Sequence, residues 1–126
     1  MKFSVDKNDR YTIFKAGEEK LNSLVAPELK TELILLSNEG TLYLILDLAD
    51  VAFVDSSGLS AILVGHRLCQ NAGGAMIITN IGENVQKLIK ISQLENVLKL
   101  VPSLQEAKDM AMMMALENEI SGGENE

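Results

Sequence analysis

The sequence predicts an α/β fold in which an N-terminal hairpin is followed by mostly parallel strands, a mixed β-sheet packed with about four helices. Three observations carry this. Strand-like and helix-like segments alternate from residue 41 onward, the pattern of a parallel sheet with helical crossovers. The run Leu42-Tyr43-Leu44-Ile45-Leu46 is apolar without interruption, as expected of a central strand covered on both faces. Turn-forming clusters separate the segments at short intervals.

Met1 to Val5 and Tyr11 to Lys15 read as two strands, joined by Asp6-Lys7-Asn8-Asp9, four residues with turn chemistry. After a polar stretch, Gly17 to Lys20, a first helix is expected, with Asn22 or Ser23 as cap and Pro27 near its start. Leu29, Leu33 and Leu36 fall at helical spacing, and Asn38-Glu39-Gly40 is a stop signal. Thr41 to Leu48 is the buried strand, with Val51 to Val54 as a short extension. The chain then turns at Asp55-Ser56-Ser57-Gly58 into a second helix, apolar on more than one side, that ends near Asn71-Ala72-Gly73-Gly74.

Ala75 to Thr79 reads as a further strand. Gly82 to Ser92 reads as a short helix with Val85, Leu88 and Ile89 turned inward, and Val97 to Val101 as the last strand. Pro102-Ser103 opens a final helix from about Leu104 to Glu119, with Ala107, Ala111 and Met114 on its buried side. The domain is drawn at residues 1–117, and 118–126 form an acidic tail expected to be disordered.

Composition narrows the function. The 126 residues hold 18 acidic and 11 basic side chains, a net charge of −7, which disfavours nucleic acid or an anionic membrane surface as partner. A single cysteine, Cys69, excludes an internal disulfide, and with a single histidine, His66, it excludes a zinc site of His and Cys alone. Neither a signal-peptide core nor an apolar run of spanning length is present, so a cytoplasmic protein is expected. No residue pattern demands a cofactor or a metal.

The Asp55-Ser56-Ser57-Gly58 turn is the most informative segment. It places hydroxyls at the end of a buried strand and the start of a helix, the edge where α/β sheets dock ligands and where helix N–H groups are unpaired. The bland reading is that Ser56 or Ser57 only caps the helix. A serine hydrolase is the enzymatic alternative, but the Gly-x-Ser-x-Gly frame is absent. His66 lies ten residues on, about 15 Å along a helix axis at ~1.5 Å per residue. Cys69 reads as a buried, inert thiol. The methionines at 110 and 112–114 are either core or an adaptable face.

The stretch Leu46-Asp47-Leu48-Ala49-Asp50-Val51-Ala52-Phe53-Val54-Asp55-Ser56-Ser57-Gly58-Leu59 closely resembles the signature of STAS domains, the bacterial anti-sigma factor antagonists and their relatives. The likeness extends to Ala26-Pro27-Glu28-Leu29, Ala72-Gly73-Gly74 and Ile91-Ser92-Gln93-Leu94, covering roughly Met1 to Asp109. It implies that Ser56 is a phosphorylation site, with Asp55, Ser57, Gly58, Asn22 and Ser23 contacting a partner. It also implies partner switching. The unphosphorylated form would bind an anti-sigma factor that is an ATPase-type serine kinase, phosphorylation would release it, and a cognate phosphatase would reset the switch. Asn22 stands where many members carry an aspartate, and Ser60 where a glycine is common. A constitutive adaptor subunit of a transporter ATPase complex is the rival reading within the same resemblance.

Overall fold

A computed structural model describes residues 1–124. Seven strands and four helices follow one another as β1 (Phe3–Lys7), β2 (Thr12–Ala16), β3 (Lys20–Leu21), α1 (Ala26–Asn38), β4 (Tyr43–Asp47), β5 (Phe53–Val54), α2 (Ser56–Asn71), β6 (Ala75–Thr79), α3 (Glu83–Ile91), β7 (Lys99–Val101) and α4 (Leu104–Glu124). The main sheet has the order β1-β2-β4-β6-β7. Its first pair is antiparallel and the other three are parallel, the mixed architecture that the sequence predicts.

Strand periodicity assigns the two faces. Every residue of β4 and β6 is buried. Leu44, Leu46, Met76 and Ile78 join Phe14 beneath α1, α2 and α3, where Leu29, Leu33, Ile62 and Ile89 complete the larger core. Ile45 and Ile77 point the other way, onto Ala107 and Ala111 of α4. Tyr43 and Ala75 continue that contact to Ala115. An i, i+4, i+8 row of alanines lets α4 lie close to the sheet.

Four details differ from the sequence expectation. The first hairpin is displaced by about a turn's width: β1 runs to Lys7, and the turn is organised by Asn8, whose side-chain oxygen accepts from the N–H of Arg10 and of Tyr11, each at 2.9 Å. Neither Asn22 nor Ser23 caps α1. Asn22 instead closes a preceding turn, its side chain accepting from Leu24 N–H at 3.0 Å, and α1 begins beyond Val25 with no side-chain cap and with Pro27 in its first turn. Lys20–Leu21 and Phe53–Val54 are not a polar connection and a strand extension. They pair parallel as a separate two-stranded sheet, a long-range contact that periodicity over two residues has no means to signal.

The fourth concerns the tail. The segment expected to be disordered from residue 118 continues α4 through Glu124, and residues 125–126 lie outside the described residues. The helix is well nucleated. Ser103 Oγ accepts from Glu106 N–H at 3.2 Å while the Glu106 carboxylate accepts from Ser103 N–H at 3.1 Å, a capping box. Once started, propagation adds one bond per residue. Glutamate is a good helix former, and Glu119 is ion-paired with Arg10 of the hairpin.

Candidate functional site

The site is assembled where β5 leads into α2. Asp55 has extended backbone (φ −95°, ψ −174°), and its N–H donates to Leu21 of β3 at 3.1 Å. Its carboxylate accepts from Gly58 N–H at 2.9 Å, and its carbonyl accepts from Leu59 N–H at 2.9 Å. Asp55 is therefore the N-cap of α2. This replaces the bland reading in which Ser56 or Ser57 serves as cap. Ser56 becomes the first residue of the helix, exposed, with a hydroxyl engaged by no described residue.

Gly58, expected among the partner contacts, is buried. A Cβ there would stand 2.1 Å from the carbonyl oxygen of Leu21. Its place in the motif is thus steric: only glycine lets the first turn of α2 pass against the backbone of β3. That approach sets the position of the exposed Ser56 and the half-buried Ser57.

Ser56 and the half-buried Ser57 open onto a groove of ≈ 470 Å³ between α1 and α2, lined also by Ser23, Ala26, Pro27, Lys30 and Ser60. The structure thus brings Ser23 to the serine turn. Asn22 faces an adjoining hollow of ≈ 300 Å³, with Lys20, Leu21, Phe53, Val54 and Asp55. Two large apolar side chains stand in solvent here, Phe53 of that hollow at 47% exposure and Leu24, whose N–H is bonded to Asn22, at 88%.

Three of these residues carry no signal in the sequence. Lys30 is the cation of the groove and takes part in none of the ion pairs among the described residues. It lies 26 residues before Ser56, and only the packing of α1 on α2 brings the two together. Phe53 and Leu24 look like core residues in a one-dimensional reading.

The groove lining, four serines and one lysine with Ala26 and Pro27, includes neither carboxylate nor imidazole. His66 is half-buried farther along α2. Its pKa is lowered by burial and then by the positive charges of Lys99 and Arg67, and its Nδ1 has no hydrogen-bond partner among the described residues. Burial pushes the Cys69 thiol up to about 11, which keeps it protonated and unreactive at neutral pH. Among the described residues no group of three His, Cys, Asp or Glu side chains is placed to hold a metal ion, and no helix is long and apolar enough to cross a membrane. A further hollow of ≈ 300 Å³ lies at the other end of β4, between the hairpin turn and α4, but its cations Lys7 and Arg10 are already paired with Glu39 and Glu119.

The STAS domain family matches residues 2–107. Among solved structures, a putative anti-sigma factor antagonist from Thermotoga maritima superposes with a TM-score of 0.78 at 22% identity, covering 87% of this chain and 94% of that one. The Bacillus cell-fate determinant SpoIIAA in its phosphorylated form gives 0.70 at 18% identity, over 86% and 98% of the two chains. The murine anion transporter Slc26a9 gives 0.71 at 19% identity, covering 86% of this chain but 18% of the transporter. These likenesses establish a shared fold.

Proposed function

The chain belongs to the STAS domain family, and from that premise we propose that it is an anti-sigma factor antagonist whose partner binding is switched by phosphorylation of Ser56. The observation that carries this reading is the division of labour at the turn: Asp55 does the capping, so the Ser56 hydroxyl is free for modification without loss of the helix start.

The physical consequences follow. A phosphate on Ser56 adds about −1.5 to −2 charges at pH 7. It would sit at a helix N-terminus, where the unpaired N–H groups favour an anion, in a groove whose cation is Lys30. The fold tolerates the modification. A partner docked over Ser56 does not, because it would have to desolvate a dianion next to the Asp55 carboxylate. The exposed Phe53 and Leu24 beside the turn supply the kind of apolar anchors that dominate docking energetics. In this reading the partner is an ATPase-type serine kinase acting as anti-sigma factor, a phosphatase reverses the modification, and the protein works in the cytoplasm without catalysing a reaction itself.

The test is affinity capture from the native cell lysate with wild type beside Ser56→Asp, and mass spectrometry of the retained proteins. Wild type is expected to retain an ATPase-type serine kinase, and Ser56→Asp, with unchanged circular dichroism, to lose at least about 90% of it, a tenfold weakening. Equal retention of a membrane-transport ATPase by both forms would overturn the switch. It would favour a constitutive adaptor, a role in keeping with the occurrence of this fold within Slc26a9.

A further inference from the structure

The first strand of the sheet is an open edge. β1 pairs with β2 on one side only, and all five of its residues are exposed. Natural proteins usually blunt such an edge with proline, a bulge or a cover, because its free N–H and C=O groups template another strand. Here there is no proline and the pairing register with β2 is unbroken from Phe3↔Ala16 to Lys7↔Thr12. The opposite edge, β7, is only three residues long.

The phase of the open hydrogen bonds is set by two bonds that flank the ladder. Gly17 N–H donates to Lys2 C=O at 2.8 Å, and Asn8 N–H donates to Tyr11 C=O at 3.0 Å. Even-numbered residues therefore turn their backbone groups towards β2, and Phe3, Val5 and Lys7 turn theirs to the open edge. A second strand adding there has to engage Phe3 and Val5.

We propose that this edge pairs with β1 of a second copy of the chain, antiparallel and with the two-fold axis at Ser4, which joins two five-stranded sheets into one. In that register Phe3 lies opposite the partner copy's Val5, in the hydrogen-bonded positions that the edge leaves open. Lys2 lies opposite the second copy's Asp6, and the contact repeats across the axis, so two oppositely charged pairs form at the closely spaced positions. Moving the axis to Val5 places Asp6 against Ser4 and Phe3 against Lys7. Moving it to Phe3 places Lys2 against Ser4. Only the Ser4 axis matches the charges, so the lysines that discourage a foreign strand select this chain's own.

The remaining like-charged pair, the Met1 amino group against Lys7, is neutralised within each copy by Glu28 of α1 and by Glu39 just past its end. Phe3 and Val5, at 38% and 37% exposure, gain cover on the face where Phe3 already stacks on Phe14 at 5.0 Å. The arrangement is isologous, and so it closes at two copies. No residue of β1 lines the Ser56 groove.

A strand–strand contact is smaller than the roughly 1,200 Å² of a stable interface, so association is expected in the range of about 10–500 μM. Sedimentation equilibrium over that range tests it. Wild type should move from monomer towards dimer. Lys2→Asp should weaken dimerisation at least tenfold, and the exchange Lys2→Asp with Asp6→Lys should restore it. Val5→Pro, which removes an outward N–H that an edge strand can spare, should abolish it. Ser4→Cys should form a disulfide dimer on mild oxidation, since residues opposite one another there lie about 4.5 Å apart, whereas Asn84→Cys on α3 should not. A wild type that stays monomeric throughout, a dimer indifferent to Lys2→Asp and Val5→Pro, or a charge exchange that fails to restore pairing would each overturn the proposal. The charge variants keep the test decisive if Val5→Pro does not fold.

Discussion

Asp55 and Ser56 are adjacent, but only Asp55 caps the helix, and stability measurements separate them. Asp55→Ala removes the side-chain acceptor for Gly58 N–H and is expected to cost about 1 kcal/mol, the usual value of a cap. Ser56→Ala removes a hydroxyl that bonds no described residue and is expected to stay within about 0.5 kcal/mol of wild type. Denaturant titration of the two variants checks this. If Ser56→Ala proved the costlier change, the serine would be the cap and the switch reading would lose its basis. His66 provides a second test at this scale. Its folded pKa is lowered, chiefly by burial. As pH falls through the ordinary value of 6.5, the unfolded chain takes up a proton that the folded chain resists. The stability held above that pH then declines. Melting temperatures of wild type and His66→Gln, compared from about pH 7.5 down to about pH 5.5, should diverge only in the lower part of the range, with wild type falling more steeply.

At the scale of elements, close approach decides which residues the chain tolerates. Gly58→Ala forces a Cβ to within 2.1 Å of the Leu21 carbonyl. This is backbone against backbone, which no rotamer change relieves. A loss of about 2–4 kcal/mol is expected, in the upper part of the range for overpacking and beyond it, whereas Gly82→Ala, where a Cβ meets nothing within 4 Å, should be nearly neutral. Helix α4 offers a parallel contrast. Ala111 is wholly buried against Ile45 and Ile77, so Ala111→Leu should cost about 1–3 kcal/mol by overpacking. Met113, 62% exposed, should accept Gln with little change. Thermal denaturation monitored by circular dichroism distinguishes both pairs.

Across the whole molecule, the sheet is a gradient of protection from its centre to its first edge. β4 and β6 are buried throughout and hydrogen-bonded to each other, so their amides should open only with global unfolding. On β1 the amides of Phe3, Val5 and Lys7 point outward and should exchange fastest among strand residues. Ser4 and Asp6, bonded to β2, should exchange more slowly. Amide hydrogen exchange followed by nuclear magnetic resonance in dilute solution would show this alternation, and uniform protection along β1 would refute the assigned phase of the ladder. The two faces of the sheet also divide tasks: α1 and α2 build the serine groove, while α4 closes the opposite face.

The fold class, the order of helices and main-sheet strands, and the strand–turn–helix position of Ser56 were legible in one dimension. Each depends on local periodicity, turn chemistry or a contiguous motif, which the chain carries wherever it is placed. The phase of the first hairpin was not legible, because Asp6-Lys7-Asn8-Asp9 offers several residues able to organise a turn and only the pairing of Val5 with Phe14 selects Asn8. The end of α4 is not legible in the sequence, because acidic composition resembles that of disordered tails, whereas the Arg10–Glu119 pair ties the helix to the hairpin across the fold. The β3–β5 pair, the burial of Gly58, and the meeting of Lys30 with Ser56 belong to tertiary structure alone. They arise where segments tens of residues apart pack together, and no local pattern encodes which of its neighbours a side chain will meet.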